Sequence, residues 1–477
     1  MIPTELGVGI TYFKELDNIL ADNPNIVNVL EIEPQTIWYE RKKDKVCFTI
    51  IEDYISKSLI RKYPKTLHSV GMPIGGSQFD ASQLSALLET INFFKPIWVS
   101  EHLSFNQIKD KNETFKTAFF LPPLSTAKGA LAATKNIKFM SKYIPIPFAI
   151  ENGVNYLRRK DYEILDSEFL SKIIIYTNCG IILDLHNLWT NQQNGREPVL
   201  EFLRNIPLEN VWEVHLAGGI EEDGFWLDSH SGMIPQELLE ITKQIIPILP
   251  NLRTIILEIE PSYFSIIDDH TILAQLRHLH ELWKLRSNKS IKKFSKSSNL
   301  TIKPESSPIS PSIWESTLGS LVLGKNKSSR LANELLSDPG ITIIKKRISS
   351  VRSSMLVRSL KYTIRLLLIT LGLPNCKEII HEFWKKYTPQ MFASSEGFNF
   401  AKFLQTKNLK IRFLADIMKY EIALLNSSIY KNKSQFFCDY NPYEIISYLS
   451  NGNIPYNLSP SKLLIELEPN QIKITEV

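Results

Sequence analysis

The sequence has little of what marks the simplest functional classes. Four cysteines, Cys47, Cys179, Cys376 and Cys438, are scattered over 477 residues, and no CxxC pair occurs. That pattern argues against a disulfide framework and a thiolate zinc site, and a reducing compartment, by default the cytoplasm, is expected. The N-terminus, MIPTELGVGITYFKELD, lacks the basic and then apolar regions of a secretory signal. The most apolar run, LLLITLGL at Leu366–Leu373, is far shorter than the roughly 20 residues that span a bilayer. No Gly-rich phosphate turn follows the first β-rich run, which counts against an open dinucleotide-binding sheet.

Charge of one sign is also missing from the chain as a whole, but not from its parts. Residues 286–477 carry 28 Lys+Arg against 14 Asp+Glu, whereas residues 1–285 carry 27 against 36. Opposite balances suggest two domains that attract each other or, for the basic half, an acidic partner. No nucleic-acid recognition motif accompanies the basic half. Between the halves lies RSNKSIKKFSKSSNLTIKPESSPISPS (286–312), rich in Ser, Lys and Pro and poor in large apolar residues. Such a stretch buries too little surface to offset its ordering entropy and reads as a flexible linker.

What is present before the linker is an alternation of β-rich runs with amphipathic helical stretches. The runs are GVGIT (7–11), VLEIE (29–33), TLHSVG (66–71), WVSEHLS (98–104), FAIENG (148–153), GIILDLHN (180–187), VWEVHLAG (211–218) and TIILEIE (254–260). Eight βα units in fewer than 300 residues predict a (β/α)₈ TIM barrel over residues 1–285. Residues 313–477 read as a smaller, mainly helical domain whose final stretch alternates like one or two strands.

Position then points to chemistry. Six of the eight runs place a candidate ligand at or just past the strand's C-terminal end: His68, His102, Glu151, Asp184 with His186, His215, and Glu258 with Glu260. The loop after the seventh run adds Asp228 and His230, and the second run contributes Glu31 and Glu33. A lone histidine at a strand end is more often a hydrogen-bonded structural residue than a ligand. Several strands delivering imidazole or carboxylate to one barrel mouth are harder to obtain from stability alone, because close buried carboxylates repel unless a cation balances them. Imidazole and carboxylate without thiolate suit iron, zinc or manganese better than calcium. So many candidates exceed the needs of one ion and imply two or three, bridged by carboxylates, with open positions for substrate and oxygen or water. By strand alternation Asp184 and His186 would point together, as would Glu258 and Glu260, with Asn187 facing away unless a bulge re-aims it.

Seven motifs in order, LHSVG, SEHLSF, AIENG, LDLHN, HLAGG, LDSHSG and LEIE, resemble those of the multinuclear non-haem iron-dependent oxidative enzymes, a family that includes the oxidase of methanobactin biosynthesis. The resemblance covers roughly residues 5–285. It implies a (β/α)₈ barrel holding two or three irons that uses dioxygen to modify cysteine or other residues of ribosomally made precursor peptides. By motif, His68, His102, Glu151, Asp184, His215, Asp228, His230 and Glu258 match the iron ligands, and Asn187 a ligand or near neighbour. The chain departs from the family's pattern at three places: His186 stands where Asn is usual, Gly219 where His is usual, and LEIE replaces LEWD. In the second half, HEFWKKYTPQMFASSEGFNFAKFLQTKN followed by IRFLADIMKYEIALLN resembles the partner proteins encoded beside such oxidases, which help capture the precursor peptide. A separate partner protein is expected only if this region does not fill that role.

Two other classes stay open at this point. A divalent-metal barrel hydrolase or isomerase uses similar ligands without oxygen, and a non-catalytic metal-binding or peptide-docking protein needs no turnover. No catalytic base and no substrate-binding residue is identified by sequence.

Overall fold

Runs that read as near-continuous apolar stretches are those expected of parallel strands covered on both faces. In a computed structural model, which describes residues 2–42, 46–50, 62–110, 113–264, 266–286, 308–468 and 471–476, all eight runs form such strands. They are β1 (Gly7–Thr11), β2 (Val29–Ile32), β3 (Lys65–Ser69), β4 (Val99–His102), β5 (Phe148–Glu151), β6 (Gly180–Asp184), β7 (Val211–Ala217) and β8 (Thr254–Glu258). Each pairs in parallel with the next in chain order, and β8 pairs with β1 to close the barrel. The crossover between β4 and β5 shows why the helices form: Thr126 caps helix Ala127–Tyr143 by accepting from Gly129 N, and Ala130, Ala133, Ile137 and Met140 are buried at helical spacing.

Residues two apart on a strand share a face, and inside the barrel this separates an apolar layer from a polar one. Gly9, Val29 and Ile256 meet in the lower layer, where a Cβ on Gly9 would lie 2.5 Å from Val29 Cγ1 and 2.6 Å from Ile256 Cδ1. Two residues further along the same strands stand Thr11, Glu31 and Glu258. Trp98, Ala149, Ile182 and Trp212 form an apolar cluster toward the N-terminal end of the strands. Trp212 is the extra residue of a bulge: Ile181 pairs with Val211 but Ile182 pairs with Glu213. Gly180 leaves room for its indole, since a Cβ there would come within 2.2 Å of the ring. Beyond the bulge the register is regular, which sets His215 beside Asp184.

The chain forms two compact units. The first comprises Met1–Trp38, Ile50–Thr114 and Phe120–Ile344. It therefore extends past residue 313, where the sequence break placed the start of the second domain. The reason is local chemistry on helix Pro311–Val322 and the turn before Gly340. Trp314 is fully buried and donates to Pro122 O at 3.0 Å, the Glu315 carboxylate accepts from Ser77 N and Oγ at 2.6 Å each, and Asp338 accepts from Lys160 Nζ at 2.6 Å. Of the expected linker, residues 287–307 lie outside the described residues.

The second unit comprises Tyr39–Thr49, Phe115–Phe119 and Lys345–Val477 and is mainly helical. Phe383, Phe400, Phe403 and Ile417 centre its core. Helix Lys361–Lys386 kinks at Gly372, whose φ of 75° combined with ψ of 163° is a glycine conformation, just ahead of Pro374. The C-terminal alternation forms the antiparallel strands Leu463–Glu468 and Gln471–Glu476, and a third strand, Ser434–Cys438, which the sequence did not announce, completes a sheet. Among the described residues no helix is long and apolar enough to cross a membrane.

Candidate metal centre

The barrel mouth gathers four donor groups, three of them linked one to the next and the fourth, Glu31, Glu213 and His215, sharing His215 with the second. In the first, His68, His102 and Glu151 converge: Glu151 Oε2 lies 2.6 Å from His102 Nδ1 and 3.1 Å from His68 Nε2. Ser100, paired with His68 across the β3–β4 ladder, fixes the first imidazole. Its hydroxyl donates to Leu67 O at 3.3 Å, so its oxygen accepts from His68 Nδ1 at 2.8 Å and Nε2 is the nitrogen turned to the group. The Phe120 ring, 4.3 Å from that of His102 between centroids, backs the second imidazole.

Glu151, Asp184, His215 and Glu258, all buried, form the second group. Glu151 belongs to both, one oxygen to each: Oε1 faces His215 Nδ1 at 3.4 Å. Glu258 Oε1 approaches the same nitrogen at 3.2 Å. Asp184 divides its carboxylate similarly. Oδ1 caps helix Leu185–Gln193 by accepting from Asn187 N at 2.7 Å, while Oδ2 is buried with no hydrogen-bond partner. The far nitrogen of His215, Nε2, faces Glu31 Oε2 at 3.5 Å and Glu213 Oε1 at 3.8 Å. Carboxylates placed so behind an imidazole orient it and raise its basicity.

His186, Asp228 and His230 form the third group, nearest to solvent, with the Asp228 and His230 side chains 24% and 28% exposed. Asp228 Oδ1 lies 2.9 Å from His230 Nε2 and 3.1 Å from His186 Nδ1. Glu258 Oε2, 3.6 Å from His230 Nε2, links this group to the second. His230 holds a left-handed backbone (φ 49°), unusual for a non-glycine residue, and its carbonyl accepts from Glu260 N at 2.9 Å, which ties the loop to the end of β8.

Electrostatics show what this arrangement demands. Burial disfavours every charge here; the pairings override it at the histidines, while neighbouring carboxylates reinforce it at Asp184 and Glu213. For His68, burial is outweighed by Glu151, and its pKa stands at about 10. Burial is likewise outweighed at His215, by Glu258 and Glu31, and at His230, by Asp228, so both are raised well above the usual imidazole range. Burial together with the neighbouring Glu151 and Glu258 raises Asp184 well above an ordinary aspartate, while burial and Glu31 bring Glu213 to about 7. Without a cation the cluster gathers protons in its place. Several atoms that face its interior also lack hydrogen bonds: Glu31 Oε2, Asp184 Oδ2, Glu213 Oε1, Glu258 Oε2 and both ring nitrogens of His215. Orphaned buried donors of imidazole and carboxylate type are what a bound transition-metal ion would satisfy.

Of the residues singled out in the sequence, His68, His102, Glu151, Asp184, His186, His215, Asp228, His230 and Glu258 all fall in the three groups. The expectation that Asp184 and His186 point together fails, because β6 ends at Asp184 and helical geometry takes over at Leu185. Asp184 enters the central group and His186 the outer one. The same turn brings Asn187 inward: Nδ2 donates to Asn152 O at 3.1 Å, and Oδ1 is buried without a hydrogen-bond partner. Glu260, just past β8, is exposed, and neither it nor Glu33 joins a donor group among the described residues. Glu213 was overlooked, although its place two residues before His215 puts it on the same strand face. Glu101 was overlooked too. It is fully buried and accepts from Ser69 Oγ at 2.7 Å and from Met72 N and His102 N at 2.9 Å each, bracing the strand end that carries His102.

Fold and site together define a TIM-barrel protein with a multi-donor, metal-type cluster at the C-terminal mouth. Residues 7–282 match the family described as RiPP precursor modification enzyme MbnB/TglH/ChrH, and the chain belongs to that family. Similar proteins include several named UPF0276 protein. That of Streptomyces avermitilis is 28% identical over 222 residues, 46% of this chain and 46% of that protein. The Psychromonas ingrahamii protein is 30% identical over 187 residues, 38% of this chain and 63% of its own length. RB0508 of Rhizobium meliloti is 28% identical over 280 residues, 56% and 84%. The chain thus spans less than two-thirds of the first two relatives. A solved D-psicose 3-epimerase structure with D-fructose is 10% identical, covering 57% of this chain and 96% of that one, with a TM-score of 0.37, too slight a likeness to carry any argument.

Proposed function

We propose that this chain is an iron- and dioxygen-dependent oxidase that modifies a residue, cysteine in the first instance, of a ribosomally made precursor peptide. The observation that carries the reading is the row of three donor groups joined by two shared carboxylates, Glu151 between the first and second and Glu258 between the second and third. Membership of a precursor-modifying family supports a peptide as substrate. Bound iron would supply redox and Lewis-acid chemistry. The protein's part is to hold the donors and grade their access to water. His68, His102 and Glu151 would hold one ion, Glu151, Asp184, His215 and Glu258 a second, and Asp228 and His230 a third, with Asn187 Oδ1 a further donor. The outer group is the open one, which suits entry of an extended peptide from solvent, whereas the buried central group keeps water out. The mainly helical unit, with Lys345–Val477 as its main segment, would serve as the fused partner that captures the peptide, its basic balance suiting an acidic segment.

The test is to mix the iron-loaded full chain with cysteine-containing candidate precursor peptides and follow dioxygen uptake and peptide mass together. Uptake coupled to a mass change supports the proposal. Turnover of a sugar or phosphodiester under nitrogen, with no dioxygen requirement, would replace it with a divalent-metal hydrolase or isomerase.

A further inference from the structure

His186 and Gly219 meet at one point beside the outer group. The Trp226 indole N–H donates to His186 Nε2 at 3.2 Å. Indole nitrogen is a donor only, so Nε2 must be the accepting nitrogen of that imidazole. The proton of the neutral ring then sits on Nδ1, which lies 3.1 Å from Asp228 Oδ1 and donates to it. Both ring nitrogens are therefore committed, one lone pair to tryptophan and one N–H to aspartate, and neither is left to bind a metal ion.

The surroundings hold this arrangement. Asn194, at the C-terminal end of the helix that carries His186, brackets the Trp226 backbone: its Oδ1 accepts from Trp226 N and its Nδ2 donates to Trp226 O, each at 2.9 Å. Trp189, from the same helix, packs edge-on to Trp226 with centroids 4.7 Å apart. Gly219 supplies the space. A Cβ there would lie 2.5 Å from Trp226 Nε1, 2.5 Å from Leu227 O and 2.8 Å from His186 Nε2. A side chain at residue 219 and the His186–Trp226 bond exclude one another.

We infer that His186 is a positioning residue of the outer metal group rather than one of its ligands: locked by Trp226, it presents Nδ1–H to Asp228 and fixes the carboxylate that, with His230, would hold the outer ion. This rests on the metal reading above and narrows it. Hydrogen bonds to ligating carboxylates typically change metal affinity 10- to 100-fold when lost, whereas loss of a ligand removes the ion.

The experiment compares wild type, His186→Asn, His186→Phe and Gly219→Ala as full chains, titrated with ferrous iron under nitrogen. Ions per chain and the affinity of the weakest ion are read by chelator competition, and melting temperature controls for folding. The Asn amide Nδ2 takes the place of imidazole Nδ1 and can still donate to Asp228. The expected result is wild-type iron number and near wild-type affinity in His186→Asn. In His186→Phe and in Gly219→Ala the weakest ion alone should bind about 10- to 100-fold less tightly, the others being unchanged. Loss of one ion in both His186→Asn and His186→Phe would make His186 a ligand and overturn the inference. Unchanged affinity in a folded His186→Phe would overturn it from the other side. A wild-type chain that binds no iron would remove the metal reading itself, and is distinguished because it shows in the unmutated protein.

Discussion

Buried charge is handled in opposite ways in the two units. Three carboxylates are buried among the described residues of the helical unit, and each is answered by protein. Glu396 pairs with Arg352 at 2.7 Å, Glu421 accepts from Tyr362 N and Thr363 N at 2.8 Å each where helix Lys361–Lys386 begins, and Asp416 accepts from Asp439 N at 3.1 Å. In the barrel mouth, Glu31, Glu151, Asp184, Glu213 and Glu258 crowd around imidazoles, and several of their oxygens have no hydrogen bond at all. Buried polar atoms are nearly always satisfied in stable folds. The buried carboxylates of the helical unit obey that rule with partners from the protein itself, one guanidinium and backbone N–H groups. In the barrel-mouth cluster several carboxylate oxygens stay without hydrogen bonds, which is the condition a bound cation would relieve.

The sharpest way to break this contrast is to remove the carboxylate shared by two donor groups. Glu151→Ala is expected to cost about one to two metal ions per chain and all measurable turnover, seen by metal analysis and by peptide mass. Full metal content in that variant would dissolve the distinction between the units. The counterpart in the helical unit is Arg352→Ala, which leaves Glu396 buried without its cation and with Gln390 N as its remaining donor at 3.1 Å. It should destabilise that unit by about 3–5 kcal/mol in denaturant titration, while iron bound per folded chain stays at the wild-type value.

How much of this the sequence disclosed follows from local physics. Parallel strands covered on both faces must be apolar, so all eight stood out, and polar residues at their ends stood out against them. Period-two reasoning served within strands and failed one residue beyond: it aligned His186 with Asp184, although Asp184 is the cap that starts a helix. Glu213 was legible by the same period and was passed over because it precedes a histidine rather than ending its strand. The Trp226–His186–Gly219 contact was not legible at all, because it joins residues 40 apart through a fold-dependent approach. The end of the barrel unit at Ile344 was likewise hidden. Composition breaks at the Ser/Lys/Pro stretch, but the fully buried Trp314 belongs to the barrel unit on the far side of that break.

Two smaller effects sharpen the comparison by changing its sign. Losing Glu421 as a helix cap should simply destabilise, by about 1–2 kcal/mol for Glu421→Ala, with metal binding unaffected. Asp184→Asn should do the reverse in the metal-free protein. Burial and the facing Glu151 and Glu258 raise the folded-state pKa of Asp184, so its charged form opposes folding once the pH exceeds the range in which an unfolded aspartate ionises. The neutral amide removes that penalty and still offers an oxygen to Asn187 N. The metal-free variant should therefore melt roughly 2–4 °C higher than wild type at neutral pH, with the gain vanishing below about pH 4, whereas its metal-loaded form should be less stable than the loaded wild type. A metal-free Asp184→Asn that melts lower at neutral pH would mean the cluster is a structural network like that of the helical unit.

The most direct test of the central claim is metal content by inductively coupled plasma mass spectrometry, on the full chain purified anaerobically from iron-supplemented cells. Roughly two to three irons per chain, lost when His68 and Glu151 are replaced together, is the predicted result. A chain without metal, one loaded with zinc or manganese instead, or a double variant that keeps its full complement would contradict it.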